Sequence, residues 1–153
     1  MGDAGASALA AALGKGALPR LKRLHLRNAA IGDAGLVALA PALRRRTALE
    51  RLDFFDNPFG DEGLAALVAP PPPAGAPPPR TGGLAQLKVL DLIYTQVTDA
   101  GCAALAAALD SGALPALERL NLFAIPASAA ATTKVVILAN KMAQDAARAR
   151  GRN

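Results

Sequence analysis

The chain reads as an α/β solenoid of about four stacked units, with short parallel strands on a concave face and helices on the convex one. Three observations predict this. Within Leu49–Leu67, LERLDFFDNPFGDEGLAAL, apolar residues fall at Leu49, Leu52, Phe54, Phe59, Leu64 and Leu67, with an asparagine at Asn57. The same pattern begins again at Leu21, Leu87 and Leu117, so four units open at spacings of 28, 38 and 30 residues. The back half of the first three units opens on Asp-x-Gly, at Asp33–Gly35, Asp61–Gly63 and Asp99–Gly101. Within a unit the apolar period switches from that of a strand to that of a helix. No unit can bury its apolar edges alone, so the copies must stack.

Taken in order, residues 2–21 resemble the back half of a unit without its strand. Gly5, Leu9 and Leu13 match Gly35, Leu39 and Leu43 thirty positions later. Either this helix caps the array or the sequence is a piece of something longer. The first complete unit places Leu21, Leu24, Leu26 and Ile31 inward, and Gly35, Leu36, Leu39 and Leu43 along its helix. Pro41 inside that helix should kink or shorten it. The ten extra residues of the second spacing come from a Pro-rich insert, 69–83, where the second helix should end. Its runs Pro70–Pro73 and Pro77–Pro79 favour polyproline II and read first as a solvated loop, the alternative being a segment that docks into aromatic grooves of SH3, WW or profilin-like partners. The fourth unit has a sound strand, but Ile125-Pro126 replaces its turn and no Gly-Leu helix follows.

Strands are therefore expected near 22–26, 50–54, 88–92 and 118–122, and helices at about 3–13, 33–43, 61–68 and 99–109. Repeats occupy 1–127, and 128–153 form a basic tail. A helix from about Thr133, with Val135, Leu138, Met142 and Ala146 on one stripe, would cover the open end of the solenoid. The run Val135–Leu138 also reads as a short strand, or the tail as only partly ordered. Asp33, Asp61 and Asp99 (or Thr98) suit the first turn of their own helices, where a carboxylate meets free N–H groups and the positive dipole end.

The pattern L-x-x-L-x-L-x-x-N-x-L at periods of 28 to 30, with its long helical back half, resembles the ribonuclease-inhibitor class of leucine-rich repeats over residues 2–125. It is also similar to the repeats of Ran GTPase-activating proteins and NOD-like receptors. The resemblance implies a binding module, with a GTPase-activating or regulatory role as the alternative. In this class the ninth position holds an asparagine that bonds backbone in the turn. Here it reads Ala29, Asn57, Thr95 and Ile125, which predicts a looser stack, weakest at its C-terminal end.

Composition narrows the function. Apolar residues make up 52% of the chain, yet aromatics only 3% with no Trp, so Ala and Leu must fill thin, closely stacked layers. The net charge of +5 tolerates an acidic partner without requiring one. A single cysteine, Cys102, excludes an internal disulfide framework and fits a reducing, cytoplasmic compartment, with the nucleus open. Neither a signal peptide nor an apolar run long enough to span a membrane is evident. The start MGDAGAS lacks the Ser or Thr of an N-myristoylation signal, having Ala6 there.

Side chains alternate along a strand, so the third, fifth and seventh positions of each unit point out of the concave face. These are Arg23, His25 and Arg27; Arg51, Asp53 and Phe55; Val89, Asp91 and Ile93; and Arg119, Asn121 and Phe123. Apolar anchors beside arginines are the composition of a protein-binding surface. His25, the only histidine, has no metal-ligand or nucleophile partners by spacing, and Asp53 and Asp91 read as two carboxylates on an open surface. No catalytic residue, metal or cofactor is called for. Cys102 aligns with Leu36 and Leu64 and reads as a small core residue. Arg44–Arg46 end the first full helix, where cations complement its negative pole, and carry no stacking aromatics of the kind nucleic acids need. Twelve concave positions fall short of the roughly 20–30 residues of a standard interface, so a weak binder or a longer array is expected, with self-association through open ends.

Overall fold

A computed structural model describes residues 2–46, 48–68 and 84–151. The Pro-rich insert 69–83 lies outside the described residues. Helix α1 (Gly2–Gly14) precedes four strand–helix units: β1 (Arg23–His25) and α2 (Asp33–Arg44), β2 (Arg51–Asp53) and α3 (Asp61–Val68), β3 (Val89–Asp91) and α4 (Asp99–Asp110), β4 (Arg119–Asn121) and α5 (Ala129–Gly151). The strands form one parallel sheet in the order β1-β2-β3-β4, with Leu24, Leu52, Leu90 and Leu120 in register. The ladder runs beyond the three-residue strands: Asn28 N–H donates to the Phe55 carbonyl (2.9 Å), Asp56 N–H to Ile93 (2.9 Å) and Tyr94 N–H to Phe123 (3.2 Å).

The inward leucines behave as the repeat demands. Leu49, Leu52, Leu87, Leu90 and Leu92 are fully buried, as are Leu36, Leu39, Leu64, Leu67, Leu105 and Leu109 from the helices. Phe54 and Phe59 meet edge-to-face in the second unit at 5.3 Å. Helix α2 is not shortened by Pro41, since it has the same 12 residues as α4. Pro41 and Val37, whose carbonyl loses its helical partner, both lie on the exposed side, so that carbonyl is not left among buried groups.

Two devices tie the units together. The first is Asn57, which is buried in the turn after β2. Its Oδ1 accepts from Ala29 N–H (3.2 Å) and Ile31 N–H (3.0 Å), while its Nδ2 donates to the Leu26 carbonyl (2.7 Å) and the Phe54 carbonyl (2.8 Å). One side chain thus joins its own turn to the preceding one. Thr95, at the same place in the next unit, donates only to Leu92 of its own turn (2.8 Å). Asn28, one place before the ninth position, makes no such bridge among the described residues. It occupies the eighth position, which is left-handed in every unit: Asn28 (φ 52°), Asp56 (56°), Tyr94 (59°) and Ala124 (58°). Asn adopts that region more readily than most residues.

The second device corrects the role expected of the helix aspartates. Each reaches forward to the next unit's helix rather than capping its own. Asp3 accepts from Gly32 N–H (2.7 Å), and Asp33 from Gly60 N–H and Gly63 N–H (2.8 Å each). Asp61 accepts from Thr98 N–H (2.7 Å) and Gly101 N–H (3.0 Å) and also from the Thr98 hydroxyl. Asp99 accepts from Ser128 N–H (2.6 Å) and its hydroxyl (3.0 Å). The glycine of each Asp-x-Gly is the landing site. A Cβ on Gly101 would overlap Asp61 Oδ1 and stand 2.6 Å from Val97 Cγ1.

Ser128 shows that residues 128–151 continue the pattern: α5 stands where the fourth unit's own helix belongs. It starts at Ala129 rather than near Thr133, with Ala131 in the landing-site place. Ala131 N–H is served by the Ser128 hydroxyl (3.2 Å) instead of the aspartate. Val135 and Ala139 are buried, and Leu138 and Met142 pack against the core from the same side. Val135–Leu138 is helical, not a strand. The helix packs on α4 and β4, and Arg150 meets Glu118 at its far end (3.8 Å).

Leu90→Ala is expected to cost roughly 2–5 kcal/mol, as a truncation inside a closed layer. Asn57→Ala, which strands two amides and two carbonyls, should cost about 3 kcal/mol against about 1 kcal/mol for Thr95→Ala. Urea unfolding midpoints check the ranking, and equal losses for Asn57→Ala and Thr95→Ala would refute the bridging role of Asn57.

Candidate interaction face

The concave face carries three rows running across the strands. The fifth positions make the middle row, and here the expected open carboxylates are not open. Asp53 and Asp91 are 3% and 9% exposed. Each bends the chain after its strand: Asp53 Oδ1 accepts from Phe55 N–H and Asp91 Oδ1 from Ile93 N–H, both at 3.1 Å. Their other oxygens turn apart. Asp53 Oδ2 faces His25 Nδ1 (3.3 Å) and Arg27 Nε (3.6 Å), while Asp91 Oδ2 accepts from Asn121 Nδ2 (3.3 Å). His25 is half-exposed, and Asp53 is its only side-chain hydrogen-bond partner among the described residues. No cluster of His, Cys, Asp and Glu fit to hold a metal occurs among the described residues.

The row at the strand ends is aromatic. Arg27 lies over the Phe55 ring at 4.4 Å, Phe55 meets Tyr94 edge-to-face at 5.4 Å, and Tyr94 meets Phe123 at 6.5 Å. Phe123 is 71% exposed and Tyr94 49%. Phe55 and Ile93 are half-buried beneath them. Tyr94 escapes the alternation rule because it sits at the left-handed eighth position, which swings its ring between two neighbours' seventh positions. Its signal in the sequence was its being the one tyrosine, next to Ile93.

The row at the strand starts is charged. Arg23 and Arg119 are exposed and Arg51 is half-buried. Arg23, Arg51 and Val89 line a shallow depression of about 340 Å³ with Glu50, Lys88 and Glu118 from the second positions. Sequence alternation gave no reason to single out Lys88, Glu50 or Glu118. Arg51 Nε is shut from solvent with no hydrogen-bond partner among the described residues.

Other candidates prove structural. Arg44 and Arg46 donate to the Ala66 and Leu13 carbonyls, joining the C-terminal turns of α3 and α1. Desolvation is the main effect lowering the Arg44 pKa, with Arg45 adding to it. Cys102 is buried in α4, and burial pushes its thiol up, with Asp99 and Asp61 adding to the shift. Since the thiolate is the reactive form, thiol reagents at neutral pH should label Cys102 only on unfolding. Rapid stoichiometric labelling of the folded protein would contradict that burial.

No helix among the described residues is long and apolar enough to cross a membrane. The Leucine Rich repeat family matches residues 18–40, 47–68 and 86–106. A ribonuclease inhibitor of Sus scrofa is 33% identical over 90 residues, covering 59% of this chain and 18% of that protein. The chain thus spans under a fifth of that relative's length. Among solved structures, Leiomodin-1 Actin-Binding Site 2 superposes with a TM-score of 0.62, covering 92% of this chain and 90% of that one at 15% identity, a likeness of fold. With the recurring Asp-x-Gly, the parallel ladder and the asparagine turn, these matches make the chain a leucine-rich-repeat protein of the ribonuclease-inhibitor type.

Proposed function

We propose that this chain is a non-catalytic protein-interaction module and that its partner docks on the concave face. The observation that carries this reading is the continuous row Arg27–Phe55–Tyr94–Phe123 at the strand ends, whose members meet in turn and whose Tyr94 and Phe123 are exposed. Exposed aromatics held in place by neighbours offer a large contact area with little entropy left to lose, the usual make-up of an energetic centre. The candidate contacts are Arg23, His25, Arg27, Arg51, Phe55, Ile93, Arg119, Asn121 and Phe123, joined by Tyr94. Asp53 and Asp91 support them from below. The ligands named for the two similar proteins, a ribonuclease and actin, are the first to try.

Phe123→Ala and Tyr94→Ala should each weaken binding by about 2 kcal/mol while leaving stability within about 0.5 kcal/mol, because neither side chain is in the core. A photo-cross-linking residue at position 123 should form a discrete protein adduct that Tyr94→Ala abolishes. The same residue at Ala103, exposed on α4, should form none. Adducts from position 103 alone, or stimulation of GTP hydrolysis as the main activity, would overturn this reading.

A further inference from the structure

The two outer rows of the concave face ask for different chemistry from one occupant. Four residues of strand separate the third from the seventh positions, about 13 Å at 3.3 Å per residue. The strand-start row offers Arg23, Arg51 and Arg119, with Lys88 beside them, and none of the four is in an ion pair among the described residues. Glu118 is engaged by Arg150, and the middle-row carboxylates are buried and bonded. The charge left free on this side is therefore mostly positive, and Arg51 Nε lacks an acceptor. The strand-end row offers ring edges and faces.

We infer that the occupant is an amphipathic acidic helix of another protein, lying along the arc with its apolar stripe on the aromatic row and its carboxylates on the arginine row. This deepens the proposed function and rests on it. A helix is about 10–12 Å across with its side chains, which fits a gap of this width. Four strands at about 4.8 Å spacing span about 14 Å, the length of roughly three helical turns. An apolar stripe flanked by acidic residues at helical spacing therefore reaches both rows at once, the usual way a helix is read in a groove. Single-stranded nucleic acid suits the face less well. Arg27 already lies over the Phe55 ring, and Glu50 and Glu118 stand among the cations, where they would repel phosphates.

Tyr94 makes the test direct: it is the only tyrosine and there is no tryptophan, so intrinsic emission reports the aromatic row. The probes are a synthetic helical peptide of about 14 residues with a leucine stripe beside a glutamate stripe, the same peptide with lysine for glutamate, and an oligothymidylate. The glutamate peptide should perturb Tyr94 saturably and bind at least about tenfold tighter than the lysine peptide, with that preference shrinking as salt rises. Arg23→Glu with Arg119→Glu, both exposed, should erase or reverse the preference. Arg51→Gln should weaken the glutamate peptide, and Ala103→Glu, exposed on α4, should leave the preference in place. Equal binding of the two peptides, no effect of the double charge reversal in a folded protein, or tighter binding of the oligonucleotide would overturn the proposal. If the glutamate peptide fails while cross-linking at position 123 persists, the partner class is wrong and the concave-face reading stands. If both fail, both are wrong.

Discussion

The forward-reaching aspartate is the interaction on which this stack depends. A helix begins with amide groups that lack intrahelical acceptors, and a carboxylate placed there gains both hydrogen bonds and a favourable dipole. In this chain the carboxylate comes from the unit before. Asp33 and Asp61 each satisfy two amides at the start of the following helix, one of them on the glycine three residues along. Removing an acceptor of this kind leaves the part-buried Gly60, Gly63 and Gly101 donors unpaired, which costs more than the bond's net worth. The distance between neighbouring helices is thus set by a polar contact as well as by packed leucines. The glycine allows the approach, because any side chain would occupy the aspartate's place.

On the concave side the same economy appears in another form. Asp53 and Asp91 are brought into register by the parallel sheet, which ought to set two carboxylates against each other. Each instead turns outward to a donor on the far neighbour, His25 with Arg27 in one case and Asn121 in the other, while its second oxygen holds the turn after its strand. The turns so fixed are the ones that aim Phe55, Ile93 and Tyr94. Buried acid groups in the middle row therefore organise the apolar row beside them, and the face has shape before anything binds.

Element positions were legible in the sequence almost to the residue, because the repeat period leaves each leucine one place to go. What periodicity could not supply was contact across units. An aspartate one residue from the start of its own helix suggests a local cap, and only the stacked geometry brings the next helix closer. The helix of the fourth unit read only as a tail helix from about Thr133, because Ala129 and Ala131 replace the acid and the glycine of the other units. The Ser128 hydroxyl accepts from Ala131 N–H where an aspartate accepts from the glycine N–H elsewhere. Tyr94 was hidden by a left-handed residue, since alternation describes extended backbone and fails where φ turns positive. The buried middle row was misjudged for a related reason: position in a strand gives a side chain's direction, not the height of its neighbours.

The aspartate contacts all run one way, from each unit to the next, which gives the molecule a direction that its symmetric-looking layers conceal. A unit that loses order releases the helix start ahead of it but leaves the one behind still held. Disorder therefore spreads more readily toward higher residue numbers than toward lower ones. Ala129 and Ala131 stand where the other units carry an acid and a glycine, so α5 receives a contact from Asp99 and has none to hand on. Along this chain the sequence of attachment closes at that helix, and any layer set against its outer side has to be held by other chemistry.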